Sequence, residues 1–217
     1  MDSGRRERPA TCENATGEGT PMSSTTLRDI SQLDQTPAAL SEATLILIDI
    51  QNTYTRGVME LTGWQPALDA AAELLANARA AGAKIVHVAH DSGEGSPFDV
   101  KADIGQIHPK VAPIDGEPVV VKTAPNSFVD TDLDEQLKAA GNTDVIIVGF
   151  MTHMCVTFTS EGAFLRGYKP TVVADACATR PLKTAVAEVS AQQLHHSALA
   201  TINDIYGVVV ASASELR

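Results

Sequence analysis

Six short apolar runs, spaced by segments with a helical period, organise the chain. Thr44-Leu-Ile-Leu-Ile-Asp49, Lys84-Ile-Val-His-Val-Ala-His90, Val119-Val-Val-Lys122, Val145-Ile-Ile-Val148, Thr171-Val-Val-Ala174 and Gly207 to Ala211 are too short for core helices and rich in Val and Ile. Such runs predict strands covered on both faces. Between them the pattern predicts helices over about 66–81, 132–140, 155–166 and 182–199. Pro66 suits a first-turn position, and Gly82 and Gly141 suit helix stops. Strand and helix alternate throughout, which predicts an α/β protein: a three-layer α/β/α sandwich around a six-stranded, mostly parallel sheet.

The run 145–148 ends at Gly149 and leads through Phe-Met-Thr-His-Met to Cys155 and a helix-forming stretch. Near a helix's first turn, unpaired N–H groups and the positive end of the dipole favour a thiolate over a thiol. A buried packing cysteine is the competing reading. Two other strands end in chemistry of their own, Asp49 after the first and Lys122 at the close of the third. In parallel α/β sheets the ligand crevice lies at the carboxyl ends of the strands, so a base, a cation and a thiol are expected to converge there.

Asp49-Ile-Gln-Asn52, Lys122 and Gly149-Phe-Met-Thr-His-Met-Cys-Val156, in that order, resemble the signatures of the isochorismatase-like cysteine hydrolases, over about residues 43–210. The resemblance implies strand order 3-2-1-4-5-6 and a catalytic triad of Asp49, Lys122 and Cys155. It also implies a non-proline cis peptide from Phe150 to Met151 and an oxyanion hole from the N–H groups of Met151 and Cys155. The implied reaction is hydrolysis of a C–N bond in a small amide through a cysteine thioester. Gln51 to Met59, together with Phe150 to Met154, most resembles the streptothricin hydrolase branch, whose substrate is a cyclic amide in a cationic antibiotic. Two alternatives stay open: isochorismatase-type vinyl-ether hydrolysis, which needs no nucleophilic cysteine, and a non-enzymatic binding protein on the same fold.

Weaker candidates for substrate contact are Gln51, Asn52, Tyr54, Phe128 and His153, with Trp64 and Phe98 as further pocket walls. Gln51 and Asn52 have the alternative of bracing the loop backbone. His195 and His196 are expected at solvent or an interface, and Cys177 as a small buried residue. The metal-binding Asp-Trp-His motif of nicotinamidases is missing where His87-Val-Ala-His90 stands. Three residues apart on a strand, those two histidines face opposite ways. No metal and no cofactor is expected.

Composition narrows the rest. At 217 residues with 44% hydrophobic positions the chain suits one core, expected over 25–217. A polar extension, 1–24, is expected to be disordered, and Met22 is a second candidate start of translation. The net charge of −11, without a basic stripe, argues against nucleic acid. No segment reads as a membrane span or a secretory leader. Cys12, Cys155 and Cys177 fit neither a disulfide framework nor zinc spacing, and a catalytic thiol suits the reducing cytoplasm. The resemblance implies a homodimer or larger homo-oligomer.

Overall fold

A computed structural model describes residues 24–217. The extension expected at 1–24, with Cys12 and Met22, lies outside the described residues save for its last position. A short helix, α1 (Leu27–Ile30), opens the described chain. The strands are β1 (Thr44–Ile48), β2 (Lys84–His90), β3 (Val119–Lys122), β4 (Asp144–Phe150), β5 (Lys169–Ala178) and β8 (Val208–Val210). They form one sheet in the order β3-β2-β1-β4-β5-β8, every neighbour parallel. The order implied by the family resemblance is the one observed, β8 being the sixth strand.

Alternation along the central strands builds two cores. Leu45 and Leu47 of β1, with Ile146 and Val148 of β4, pack beneath α2 (Trp64–Ala80), which contributes Leu68, Ala71, Leu74 and Leu75. Ile46 and Ile48, with Val145 and Ile147, face the other way. That face is covered by Leu133 and Leu137 of α3 (Leu133–Ala140), Ala163 of α4 (Thr157–Leu165) and Leu199 of α5 (Ala191–Thr201). A strand buried on both faces can carry only apolar residues between its ends, so polar groups are confined to the ends. This confinement positions the site.

Two expectations need correction. Residues 182–189 are not helix but a hairpin, β6 (Leu182–Lys183) against β7 (Glu188–Val189). The helix begins only where Ser190 accepts from the Gln193 N–H and the Gln193 side chain accepts in return from Ser190, a capping box that overrides the helix-forming residues before it. Strand β5 runs on to Ala178 because its pairing with β4 shifts between Ile147 and Gly149 and then resumes. Exposed Asp175 sits within that irregular stretch and interrupts the apolar run. Between α1 and β1 the chain makes a single 3-10 turn, Leu40–Glu42. No helix among the described residues is long and apolar enough to cross a membrane.

Gly149 of β4 is the register partner of Ile48 in β1. Its φ is +128°, and a Cβ there would lie 2.0 Å from the Ile48 carbonyl oxygen. Backbone strain and overlap act together, so Gly149→Ala should destabilise the fold by about 3 kcal/mol or more, measured by urea denaturation. A loss below about 1 kcal/mol would mean that β1 and β4 can separate at little cost.

Candidate active site

The carboxyl ends of four adjacent strands meet at one buried cation. Lys122, the last residue of β3, is the register partner of His90, the last residue of β2, so their side chains leave the sheet on the same side. Asp49 follows β1 directly, with its N–H bonded to the Val88 carbonyl and its φ at +50°. This left-handed conformation is one that Asp tolerates better than most residues. Cys155 arrives from β4 through a cis peptide between Phe150 and Met151 and a wide π-type turn, Thr152–Val156, that precedes α4.

Lys122 Nζ lies 2.7 Å from Asp49 Oδ2, 3.2 Å from His90 Nδ1 and 3.4 Å from Cys155 Sγ. The three N–H bonds of the ammonium therefore have three neighbours. Asp49 is 0% exposed, Lys122 1% and Cys155 6%, so all three are buried. His90 must accept at Nδ1, which leaves its Nε2–H to donate to Ser92 Oγ at 3.0 Å. Its role as a ligand of the Lys122 ammonium was not read from the sequence. The signal was the equal distance of the two residues from their strand ends, which is usable only once the register is known.

Electrostatics here reverse one expectation. Burial pushes the Cys155 thiol up to about 12, with the Asp49 charge adding to it, and Lys122 offsets this only in part. The N–H groups of Met154 and Val156 are already taken by the Met151 carbonyl, so the turn offers the sulfur less of the positive field of a free helix end. Burial also raises the Asp49 carboxyl above its ordinary range, against the pull of Lys122. In the resting site the thiol holds its proton beside a carboxylate of raised basicity.

The weaker candidates separate clearly. Gln51 is wholly buried, its amide bonded to the His90 and Gly105 carbonyls and the His90 N–H. Asn52 donates to the Asp103 carbonyl. Both thus brace the loop backbone, and Gln51 fixes the end of β2 that carries His90. The Tyr54 ring packs edge-on against Phe150 and Phe98, and Phe98 packs against His90, the histidine that contacts Lys122. Phe128 stacks on Tyr168 beneath the Arg166 guanidinium, within the apolar cluster that also holds Cys155. Trp64 opens α2, its indole N–H reaching Glu60.

His153 bonds Thr179 Oγ1 at 2.5 Å, tying the nucleophile turn to the end of β5. His195, expected at solvent or an interface, instead holds Thr152 Oγ1 at 2.9 Å and fixes the same turn from α5. His196 is exposed, and Cys177 is buried with its thiol pushed up to about 12. His87 faces away from the triad and pairs with Glu117, itself held by Arg79. Among the described residues no group of three or more His, Cys, Asp or Glu could hold a metal ion.

A parallel α/β sheet with an aspartate, a lysine and a cysteine gathered at its carboxyl edge is the class of protein defined so far. The Isochorismatase domain model matches residues 43–214, and the chain belongs to the isochorismatase family. A crystal structure of an isochorismatase from Pseudomonas putida KT2440 superposes with a TM-score of 0.86 at 38% identity, covering 89% of this chain and all of that one. The uncharacterized isochorismatase family protein YddQ of Bacillus subtilis is 38% identical over 80% of this chain and 98% of its own length. A streptothricin hydrolase of Streptomyces noursei is 34% identical over 65% of this chain and 56% of its own.

Two outcomes follow. Replacing His90 by Phe keeps the ring but leaves one N–H of a buried ammonium without an acceptor, so stability should fall by about 1–3 kcal/mol in chemical denaturation. An unchanged midpoint would show that water replaces the imidazole. The second concerns pH. Burial lowers His87, His90, His108, His153 and His195 below the ordinary histidine value. The unfolded chain then takes up protons near pH 6.5 that the folded chain refuses, so stability is complete above that value and is lost as pH falls through it. Asp49 and Asp175, both raised, act in the opposite sense. With five groups against two, the melting temperature should rise from pH 5 to pH 7; a flat or falling profile would contradict this.

Proposed function

We propose that the protein hydrolyses a C–N bond in a small amide by covalent catalysis at Cys155. The observation that carries this reading is the single buried ammonium of Lys122 in contact with both the Asp49 carboxylate and the Cys155 sulfur. A cation placed between base and nucleophile stabilises the charged form of each, so the proton can pass from sulfur to carboxylate without leaving a bare charge. The raised basicity of Asp49 narrows the gap that this transfer must cross.

The steps then balance. Asp49 takes the thiol proton as the sulfur attacks the amide carbonyl, and the resulting oxyanion is held by the N–H groups of Met151 and Cys155. Collapse breaks the C–N bond, and Asp49 returns the proton to the departing nitrogen. Water, deprotonated by Asp49, attacks the thioester, and acid and free thiol are regenerated.

A cyclic amide is a narrower form of this reading, and the streptothricin hydrolase relative supports it. Vinyl-ether hydrolysis is the second reading. It requires an acid but no nucleophile, and the thiol placed against Lys122 weighs against it.

Purified protein incubated with a panel of small amides and lactams, including streptothricin and nicotinamide, should release amine or open a ring. Cys155→Ala should lower turnover by at least about 10³-fold while the protein stays folded. Asp49→Asn should cost at least about 10²-fold. Rapid quenching and intact mass should reveal the acyl-enzyme in the wild type only. Appreciable turnover by Cys155→Ala would exclude the thioester route.

A further inference from the structure

Two hydroxyl–imidazole pairs hold the nucleophile turn from outside, and neither takes part in the proton transfers at Cys155. Thr152 Oγ1 lies 2.9 Å from Nδ1 of His195 on α5, and His153 Nδ1 lies 2.5 Å from Oγ1 of Thr179, the residue after β5. Thr152 and His153 stand between Met151 and Cys155, the residues whose N–H groups are proposed to hold the oxyanion. The turn is of the wide π type, which is rare and recurs at functional sites. Within it the Met154 and Val156 N–H groups share the Met151 carbonyl, and Thr157 binds the Thr152 carbonyl through its hydroxyl and its N–H. The Thr152 side chain is left to His195.

Burial sets the direction of that bond. Thr152 is 0% exposed, and its hydroxyl has no other partner among the described residues. A buried O–H left without an acceptor is costly, so the hydroxyl donates and Nδ1 accepts. His195 is then neutral, with its proton on Nε2. A proton added at Nδ1 would turn the bond round and strand the hydroxyl hydrogen in the interior. The same holds for His153 against Thr179, itself 2% exposed. Burial lowers both histidines; His196 adds to this at His195, and Arg180 at His153. Glu161 of α4, Lys169 and Asp175 of β5 and Asp204 after α5 are the other charged groups on the elements packed against α5, and none of them acts on His195.

We propose that His195 is a positioning residue for acyl transfer: its neutral imidazole accepts from the Thr152 hydroxyl and thereby holds the Met151 and Cys155 N–H groups at the spacing an oxyanion requires. His153 and Thr179 brace the same turn from β5. The proposal deepens the amide-hydrolase reading and rests on Cys155 being the nucleophile. Small displacements of such donors are expensive, because the oxyanion is stabilised only where both N–H groups point at it.

Two reagents separate oxyanion placement from thiol reactivity without knowledge of the substrate. p-Nitrophenyl acetate acylates the sulfur through a tetrahedral oxyanion: an S–C bond forms, the C–O bond breaks and nitrophenolate leaves. Iodoacetamide alkylates it with no oxyanion, an S–C bond forming as the C–I bond breaks. In each case the thiol gives up its proton, so the ratio of the two rates cancels its ionisation. Acylation is read from the nitrophenolate burst and alkylation from the Cys155 peptide mass, both in the full chain and against Cys155→Ala. His195→Phe and Thr152→Val should each lower the acylation-to-alkylation ratio about tenfold or more, and the double variant no further, because both break one bond. His195→Asn, which offers an acceptor near the Nδ1 position and no proton to gain, should restore most of the ratio. It should also keep that ratio from about pH 7.5 to about pH 5.5, where the wild-type ratio falls. Thr152→Val, which removes only a hydroxyl, decides alone if His195→Phe does not fold. Ratios unchanged in these variants overturn the positioning role and leave the nucleophile intact. Identical pH profiles for wild type and His195→Asn overturn the need for a neutral imidazole. Failure of Cys155 to react with either reagent overturns the nucleophile reading and the positioning role with it.

Discussion

The ammonium of Lys122 is the group around which the rest of the site is arranged. Removing such a charge from water costs several kcal/mol, and the interior recovers this only when each N–H finds a well-placed acceptor. Asp49, His90 and Cys155 come from three further strand ends, so satisfying one cation fixes four strands relative to each other. The demand propagates outward. Gln51 clamps the end of β2 that carries His90, while Thr152 and His153 are held from α5 and β5 so that Cys155 stays in reach. Gly149 allows β4 to pass close enough to β1 for the four ends to meet.

That same burial sets the chemistry. A thiol exposed at a helix end would have a stable thiolate at rest. Here the sulfur is shielded, burial pushes the thiol up to about 12, and the proton remains on sulfur. Lys122 attracts both conjugate bases and so favours exchange of the proton between them over its loss to water.

Much of this was legible in the chain because it depends on local rules. Alternating runs and helical segments sufficed for the three layers, since strands buried on both faces can only be apolar. The same rule made Asp49 and Lys122 conspicuous at their strand ends. Elements governed by a single side-chain contact were harder. The start of α5 depends on a capping box whose residues resemble ordinary surface polars, and β5 extends past a bulge that places an exposed Asp175 inside an apolar run.

The sequence by itself determined the architecture, the family signatures and the three residues carrying a base, a cation and a thiol, because each follows from periodicity or from order along the chain. Tertiary structure decided their partners and their charge. His90 meets Lys122 only through the register of β2 with β3, and Phe128 finds Tyr168 and Arg166 only through folding. Gln51 turns from the substrate because backbone groups 39 and 54 residues away need its amide. The protonation of Cys155 and, among the described residues, the missing partner of Arg180 Nε are properties of burial and distance. Neither has a local signature, since both arise from groups brought together only by folding.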